Sequence, residues 1–418
     1  MLRRWAEAPL AGVDLTLIVD RPGAVYSGMV PGLVAGDYRR EDIKIDVAAL
    51  ARSAGARVVE APAISLDPVE RRIAVAASSS SPRVTAQASG SASVASTAGA
   101  TVAYDVASLD IGSTIRGLEL PGVRELALAT RPIGDFVRRV DSTVAACMRE
   151  RGAAAVRVVL VGGGVAGFEL AFTLGSRVRG LGGAAQVSVV SESEQGVAGC
   201  TARVARAILR EAERRGIGVV CGRRACAVDG AGVRLAAGGG AAQPPLQNAM
   251  GARTEHQPRA SVAAVTDSPR IDADLVVWAT GAAAPPLLAA SRLALDERGF
   301  ARVRATLQVV GHDDLFAAGD CASIDAMARR VPKAGVYAVR QGPILDANLR
   351  ARLTGGPLRD YHPQRDFLAI LNLGERRALA TKWSISVAGR VAWLLKDRID
   401  RRFVARYRAA GQPLRRIL

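Results

Sequence analysis

The chain has 418 residues, 49% of them hydrophobic, and a formal charge of +17. That length suits two or three domains, and no apolar run reaches the roughly 18–20 residues a membrane-spanning helix needs. The charge alone would suit nucleic acid. Only four lysines occur, however (Lys44, Lys333, Lys382, Lys396), and the arginines are not interleaved with aromatic residues, so no base-stacking groove is expected and no nucleic-acid partner.

Five cysteines (Cys147, Cys200, Cys221, Cys226, Cys321) form no CxxC pair, which points to a reducing compartment and a soluble or peripheral protein. Cys221 and Cys226, in two short strands, read as small buried residues in preference to a redox pair. The histidines (His256, His312, His362) show no metal-ligand spacing, so no metal site is expected.

In chain order, residues 1–9 read as the tail of an amphipathic helix, and residues 13–20 as a strand ending in an acid, Asp20. A parallel α/β sheet should open on a strand, so a first strand and its turn are expected before Met1. No leader pattern of basic then apolar residues is present. Gly and Pro punctuate residues 26–32 as a loop, Val47–Ser53 is helical, and residues 58–60 and Arg72–Val75 are strands. Residues 76–100, nearly all Ser, Ala, Gly and Thr, read as a disordered insertion in a hairpin loop. Strands resume at 104–106 and 109–111 and end at Gly112-Ser113-Thr114. A linker at 118–122 and a helix over Ile133–Arg151 follow.

The β-branched run 158–161 then leads into Gly162-x-Gly164-x-x-Gly167 and an apolar, helix-favouring segment. Strand, glycine turn and helix together form a dinucleotide fingerprint. The first glycine allows the turn, the second lets backbone approach a pyrophosphate, and the third lets the helix pack on the strand. Residues 187–190 form the next strand, with Glu192 just past its end, either a ribose ligand favouring NAD or a solvated loop acid. A helix at 201–215, strands at Gly218–Val220 and 233–235, a second low-complexity insertion at 236–270 and a strand at 275–281 complete this unit. In residues 314–322 a strand ends in Gly319-Asp320 and opens a helix. This sets the Asp320 carboxylate at a sheet edge, as a ligand or as a helix cap.

With the fingerprint, Gly112-Ser113, Ala279-Thr280-Gly281 and the 315–320 run Leu-Phe-Ala-Ala-Gly-Asp in this order, the chain resembles the two-dinucleotide-domain flavoproteins of the pyridine nucleotide-disulfide oxidoreductase superfamily. The resemblance covers nearly the whole chain apart from the two insertions. Within the superfamily it is similar to the type II NADH dehydrogenase-like branch, and to the flavoprotein module found fused to selenide, water dikinase, through residues 26–32, 332–343 and 396–403. The kinase domain is not part of the match.

The resemblance implies an α/β fold of two Rossmann-like dinucleotide-binding domains, each a parallel sheet with a three-stranded β-meander insertion, plus a C-terminal α+β domain. Residues 1–117 and 291–330 would form the FAD-binding domain, without its first βα unit. Residues 118–290 would bind NAD(P) and 331–418 would form an interface domain. Asp320 would bind the FAD ribityl chain, with Gly319 permitting close approach. Gly112 and Ser113 would pass near the FAD pyrophosphate, and Asp20 would bind the adenosine ribose. Gly162, Gly164 and Gly167 would cradle the NAD pyrophosphate, with Glu192, Thr280 and Gly281 completing the cofactor contacts. Glu169 would sit near the nicotinamide. Lys333 and Gln341 would line the flavin's far face, where the acceptor docks.

Two departures accompany the match. The first Gly-rich fingerprint is not in the sequence, which implies either an N-terminal truncation or weak or absent FAD binding. The cysteine pair of the disulfide reductases is also absent, which favours a quinone-like acceptor. The activity implied is FAD-dependent NAD(P)H oxidoreduction, with hydride passing from NADH to flavin and on to that acceptor. The alternative is a non-catalytic nucleotide-binding remnant that has lost FAD. The flavin carries the reactivity, so no acid or base is demanded of the protein. Residues 396–418 hold eight basic residues and two acids. They read as a peripheral membrane contact or, favoured by the few apolar positions, as a docked helix with a solvated arginine face. Oligomeric state is left open, a homodimer included.

Overall fold

The computed structural model describes residues 1–77, 99–236, 269–325, 331–364, 367–383 and 385–407. Most of both insertions lies outside the described residues. Their flanks are antiparallel neighbours, β6 with β7 and β15 with β16 as defined below, so each insertion occupies a hairpin position.

The chain opens with helix α1 (Leu2–Glu7) and strand β1 (Thr16–Val19). A short antiparallel pair follows, β2 (Gly23–Val25) with β3 (Lys44–Asp46). Between its strands, residues 26–32 are not a loop. A 3-10 turn, Ser27–Met29, runs into helix α2 (Val30–Ala35). Pro31 falls in the first turn of α2, where the missing N–H has no helical partner to lose, and Gly36 closes the helix in the left-handed region. Helix α3 (Val47–Ser53) is capped by the Asp46 side chain, which accepts from Ala49 N at 2.8 Å. Strand β4 (Arg57–Glu60) pairs in parallel with β1. Strands β5 (Ala63–Asp67), β6 (Arg72–Val75) and β7 (Thr101–Ala103) form a three-stranded antiparallel meander. Strands β7 and β8 (Ala107–Leu109) begin two to three residues earlier than the sequence pattern suggests, and β9 (Thr114–Ile115) follows.

The central unit starts with helix α4 (Val123–Leu126), strand β10 (Leu128–Ala129) and helix α5 (Ile133–Arg151). Phe136, Val137, Val140, Val144 and Cys147 recur at helical spacing and form the buried face of α5. Strand β11 (Val156–Val161), helix α6 (Val165–Gly180), strand β12 (Ala185–Val190), helix α7 (Ala202–Arg214) and strand β13 (Gly218–Val220) wind in succession. Thr201 caps α7 by accepting from Val204 N at 3.4 Å. A second meander follows, β14 (Ala225–Asp229), β15 (Gly232–Leu235) and β16 (Arg270–Asp272), then β17 (Leu275–Trp278). Cys226 lies in β14, whereas Cys221 lies just past β13 and is exposed. The five-stranded sheet has the order β10-β17-β11-β12-β13 and is parallel throughout. Chain order reverses between β17 and β11, and ligands of open α/β sheets bind outside the carboxyl ends of the strands at such a switch point.

Strand β18 (Ala282–Ala283) pairs antiparallel with β9. Helix α8 (Pro286–Ala290), strand β19 (Ala301–Val303), strand β20 (Leu315–Ala317) and strand β21 (Ala322–Ile324) follow. Strand β8 pairs in parallel with β20, so β1·β4 and β8·β20 stand as two separate two-stranded sheets. Gly319 and Asp320 do not open a helix as expected. They form one 3-10 turn, Gly319–Cys321, and the chain returns at once to extended backbone in β21. The long helix α9 (Gly335–Thr354) comes later. Strands β22 (Ala369–Gly374), β23 (Arg377–Lys382) and β24 (Ile385–Gly389) form a third antiparallel sheet, and helix α10 (Arg390–Ala405) packs across it.

One core joins α2, α5, α6 and the parallel sheet to Leu371, Leu373 and Val404, so the C-terminal layer is cemented onto the fingerprint helix. A second gathers β19–β21, α8 and α9. Among the described residues no helix is long and apolar enough to cross a membrane.

Candidate dinucleotide and electron-transfer site

The fingerprint turn follows β11 directly. Gly162 has φ +129°, and a Cβ there would stand 2.3 Å from the Ala279 carbonyl oxygen. Only glycine adopts that turn without collision. A Cβ at Gly167 would come 2.0 Å from the Gly162 carbonyl oxygen, so α6 seats on the strand only because this residue has no side chain. Gly164, the residue before α6, faces open space among the described residues: a Cβ added there would meet no atom within 4 Å. Helix α6 has no side-chain cap and no acid in its first turn. Its leading amides therefore have no helical partner; a backbone bridge joins Gly164 to Ala198 beside the turn, and no acidic side chain of the first turn occupies the positive end of the helix, which suits an anion. These features fit a dinucleotide pyrophosphate.

Beyond β12, Ser191 is buried and its Oγ accepts from Ser193 N at 3.2 Å. Glu192 points outward and pairs with Arg224, Nε to Oε1 at 3.4 Å. On the other side of the turn, Thr280 Oγ1 donates to Arg116 O at 2.6 Å, and Arg116 N donates to Gly281 O at 3.0 Å. Through Arg116 and the β9·β18 pair, Thr280-Gly281 is bound to the strand that leaves Gly112-Ser113.

Gly112 and Ser113 lead to a second polar cluster. Ser113 Oγ donates to Asp320 Oδ2 at 3.2 Å, Arg131 Nη1 donates to the same oxygen at 2.8 Å, and Arg131 also contacts Ser113 Oγ. Gln341, buried in α9, accepts from Gly319 N at 2.5 Å and so fixes the turn that presents Asp320. Cys321, next in sequence, is fully buried. Its thiol donates to Leu109 O and Ala318 O at 3.2 Å each, and burial pushes its pKa up to about 12, far from a reactive thiolate. A carboxylate, a hydroxyl and a guanidinium suit the hydroxyls and phosphates of a second dinucleotide. No Gly-x-Gly-x-x-Gly turn accompanies them among the described residues.

The remaining expected residues are spread more widely. Glu169, partly buried on α6, accepts from Asn372 N in β22 at 2.6 Å. Burial pushes its carboxyl up to about 7, with the Lys396 ammonium opposing that rise. Lys333 does not point to open solvent. Its ammonium lies 4.0 Å over the Phe300 ring and donates to Ala322 O. Burial, and next the Arg298 charge, lower its pKa to about 8. Asp20 stands at the end of β1, exposed and beside Arg21 at 3.6 Å, outside the hydrogen-bonded cluster around Asp320. Arg131 escaped the sequence reading because one arginine among many carries no motif, and only the fold brings it to Asp320. Lys396 and Asp400 form a buried ion pair four residues apart on α10, within the 396–403 stretch that carries the resemblance but was given no site role there.

The family model described as pyridine nucleotide-disulphide oxidoreductase matches residues 2–342. The chain belongs to that family. Among curated proteins, this family member is 26% identical over 298 residues to demethylphylloquinone reductase NdbB of Synechocystis, covering 71% of this chain and 65% of that one. It is also 26% identical over 287 residues to the alternative NAD(P)H-ubiquinone oxidoreductase C1, chloroplastic/mitochondrial, of Arabidopsis thaliana, covering 66% of this chain and 50% of that one. The matched stretch thus spans less than two thirds of the length of either relative. Among solved structures, the sulfide:quinone oxidoreductase of Aquifex aeolicus superposes with a TM-score of 0.71 at 14% identity, over 97% of this chain and 88% of that one. NDH2 of Plasmodium falciparum, in complex with NADH, gives 0.69 at 12% identity, over 94% and 91%. At those identities the likeness is one of fold.

Proposed function

We propose that this protein is an FAD-dependent NAD(P)H oxidoreductase of the non-disulfide type, passing reducing equivalents from NADH through flavin to a quinone-like acceptor. The observation that carries the reading is the β9·β18 pair, which ties the Thr280-Gly281 edge of the fingerprint site to the Gly112-Ser113 edge of the Asp320 cluster. Two dinucleotide sites joined at their facing edges are what transfer between two stacked rings requires. The names of the curated relatives support the acceptor class, and the buried, unreactive Cys321 supports a route without a thiol relay.

The α6 amides, with Gly164 leaving room, would hold the NAD pyrophosphate. Asp320 and Ser113 would bind the ribityl and pyrophosphate end of FAD, with Arg131 free to exchange Asp320 for phosphate, and Asp20 would take the ribose. When bound, flavin supplies the hydride acceptance from the nicotinamide and the two-electron delivery onward. Glu169, with its carboxyl near neutrality, can hold or release a proton at its side-chain oxygens beside α10, and Lys333 and Gln341 support the wall formed by α9.

The C-terminal face supports a peripheral membrane contact. Val391, Leu394, Leu395 and Ile399 are 78%, 53%, 43% and 43% exposed and form one stripe of α10, continued by Ile385 and Val387 on β24. Exposed Arg398 and Arg402 fall on the same face of α10, and exposed Lys382 and Arg390 lie on β23 and at the start of α10; each would add roughly 1 kcal/mol near an anionic bilayer. The apolar positions that look few in sequence are thus gathered on one face. Flotation with anionic liposomes should carry the protein and fail for V391E/L395E; unchanged flotation of that variant would remove this docking face, with self-association through it then checked by ultracentrifugation. The activity itself is tested by NADH oxidation with a water-soluble quinone in FAD-supplemented protein. Turnover that depends on both FAD and quinone is expected. FAD binding with no transfer to any quinone would overturn the acceptor reading.

A further inference from the structure

We infer that the fingerprint site accepts NADPH as well as NADH, with Glu192 serving the ribose diol of one and Arg224 the 2′-phosphate of the other. The inference rests on the nucleotide-site reading above. An acid past the second strand, standing alone, would repel a 2′-phosphate. Here it does not stand alone. Arg224 Nε lies 3.4 Å from Glu192 Oε1, with the two side chains 60% and 62% exposed.

The arginine's position is built into the backbone. Ser191 N donates to Val220 O at 2.9 Å, Arg223 N to Ser191 O at 3.0 Å and Gly222 N to Ser193 O at 3.2 Å. These three bonds lock the β13–β14 loop, which carries Arg223 and Arg224, against the loop that carries Glu192. Arg223 reaches Ala236 O with Nη2 at 3.4 Å, while its buried Nε has no hydrogen-bond partner among the described residues.

Glu194 also stands at this rim, its Cγ 3.4 Å from where a Cβ of Gly222 would be. Two acids and two arginines therefore sit on the two loops joined at this rim, and neither sign dominates. An exposed ion pair contributes little to fold stability, so releasing Arg224 from Glu192 is cheap. The freed guanidinium fork can then bind a phosphate in bidentate fashion.

The test is titration of the full chain with NADH and with NADPH, read by nicotinamide fluorescence, for the wild type, R224A and E192Q. The wild type should bind both, with affinities within about tenfold of each other, and R224A should weaken NADPH at least about tenfold while NADH moves by less than about twofold. E192Q should shift preference towards NADPH. A wild type that binds NADH but not NADPH, or an R224A variant with an unchanged preference, overturns the inference. Binding of neither nucleotide overturns the site reading itself and the inference with it.

Discussion

Replacing Lys396 with methionine should loosen α10 from the turn at residues 26–28. The Lys396 side chain is 8% exposed and its ammonium donates to Asp400 Oδ2 at 2.9 Å and to Gly28 O at 2.8 Å. The Asp400 side chain is 5% exposed, and its carboxylate also accepts from Tyr26 at 3.4 Å. Methionine keeps most of the chain length and removes every donor, so the buried Asp400 carboxylate and the Gly28 carbonyl lose the ammonium, and among the described residues Tyr26 alone is left to the carboxylate. Breaking a buried pair from one side costs about 3–5 kcal/mol, or roughly a hundredfold or more in the opening equilibrium. A chain of several cores does not unfold in one step, so the assay is hydrogen exchange of the α10 amides, not a global melt.

The pH dependence of that loss has a definite sign. Burial raises the Asp400 pKa and Lys396 holds that rise down, so K396M lets it rise further. A carboxyl whose folded pKa lies above its unfolded value gives stability below the unfolded pKa and loses it as pH rises through the folded one. The K396M defect should therefore be smallest in acid and grow towards neutral pH. K396M/D400L, which removes both charges, should regain most of the protection. A loss of protection under about tenfold at neutral pH, or one that does not vary with pH, would refute the reasoning.

Three further outcomes are expected. Gly167→Ala puts a Cβ 2.0 Å from the Gly162 carbonyl oxygen, so α6 must lift from β11 at a cost of about 1–3 kcal/mol; thermal melting and NADH titration should both report it. Glu169→Gln removes a carboxyl whose pKa sits near 7 in the fold. Relative to E169Q, wild-type stability should be greatest below the unfolded carboxyl range of about 4.3 and fall as pH climbs through about 7, as a pH series of melting temperatures would show. Asp320→Ala should weaken FAD binding by about ten- to a hundredfold, the loss of charge-assisted hydrogen bonds, measured by quenching of flavin fluorescence.

Much of this was readable where short-range chemistry decides the structure. The apolar run 158–161, the three glycines and the apolar helix after them give β11, the turn and α6, and the Ile133–Arg151 and Val47–Ser53 helices follow from apolar spacing and local caps. Residues 26–32 misled because Pro and Gly also punctuate the ends of a short helix, and only packing of α2 on α6 and Tyr38 settles which use applies. Gly319-Asp320 misled because a strand that follows a tight turn looks, locally, like a helix start. The pairs that matter for the site, Arg131 with Asp320 and Glu192 with Arg224, join residues 189 and 32 positions apart. Such pairs leave no periodic trace. The exposed stripe of α10 was hidden for a different reason. Its apolar residues are diluted by arginine in sequence and collect on one face only when wound into a helix.

The most direct measurement is the visible absorption spectrum of the purified 418-residue chain after FAD is added and excess removed, followed anaerobically through an addition of NADH. Flavin bands that remain with the protein and bleach with NADH are the expected result, since they require both dinucleotide sites and transfer between them. A colourless protein that still binds NADH would contradict it, leaving the fingerprint intact and the Asp320 cluster without a flavin to hold.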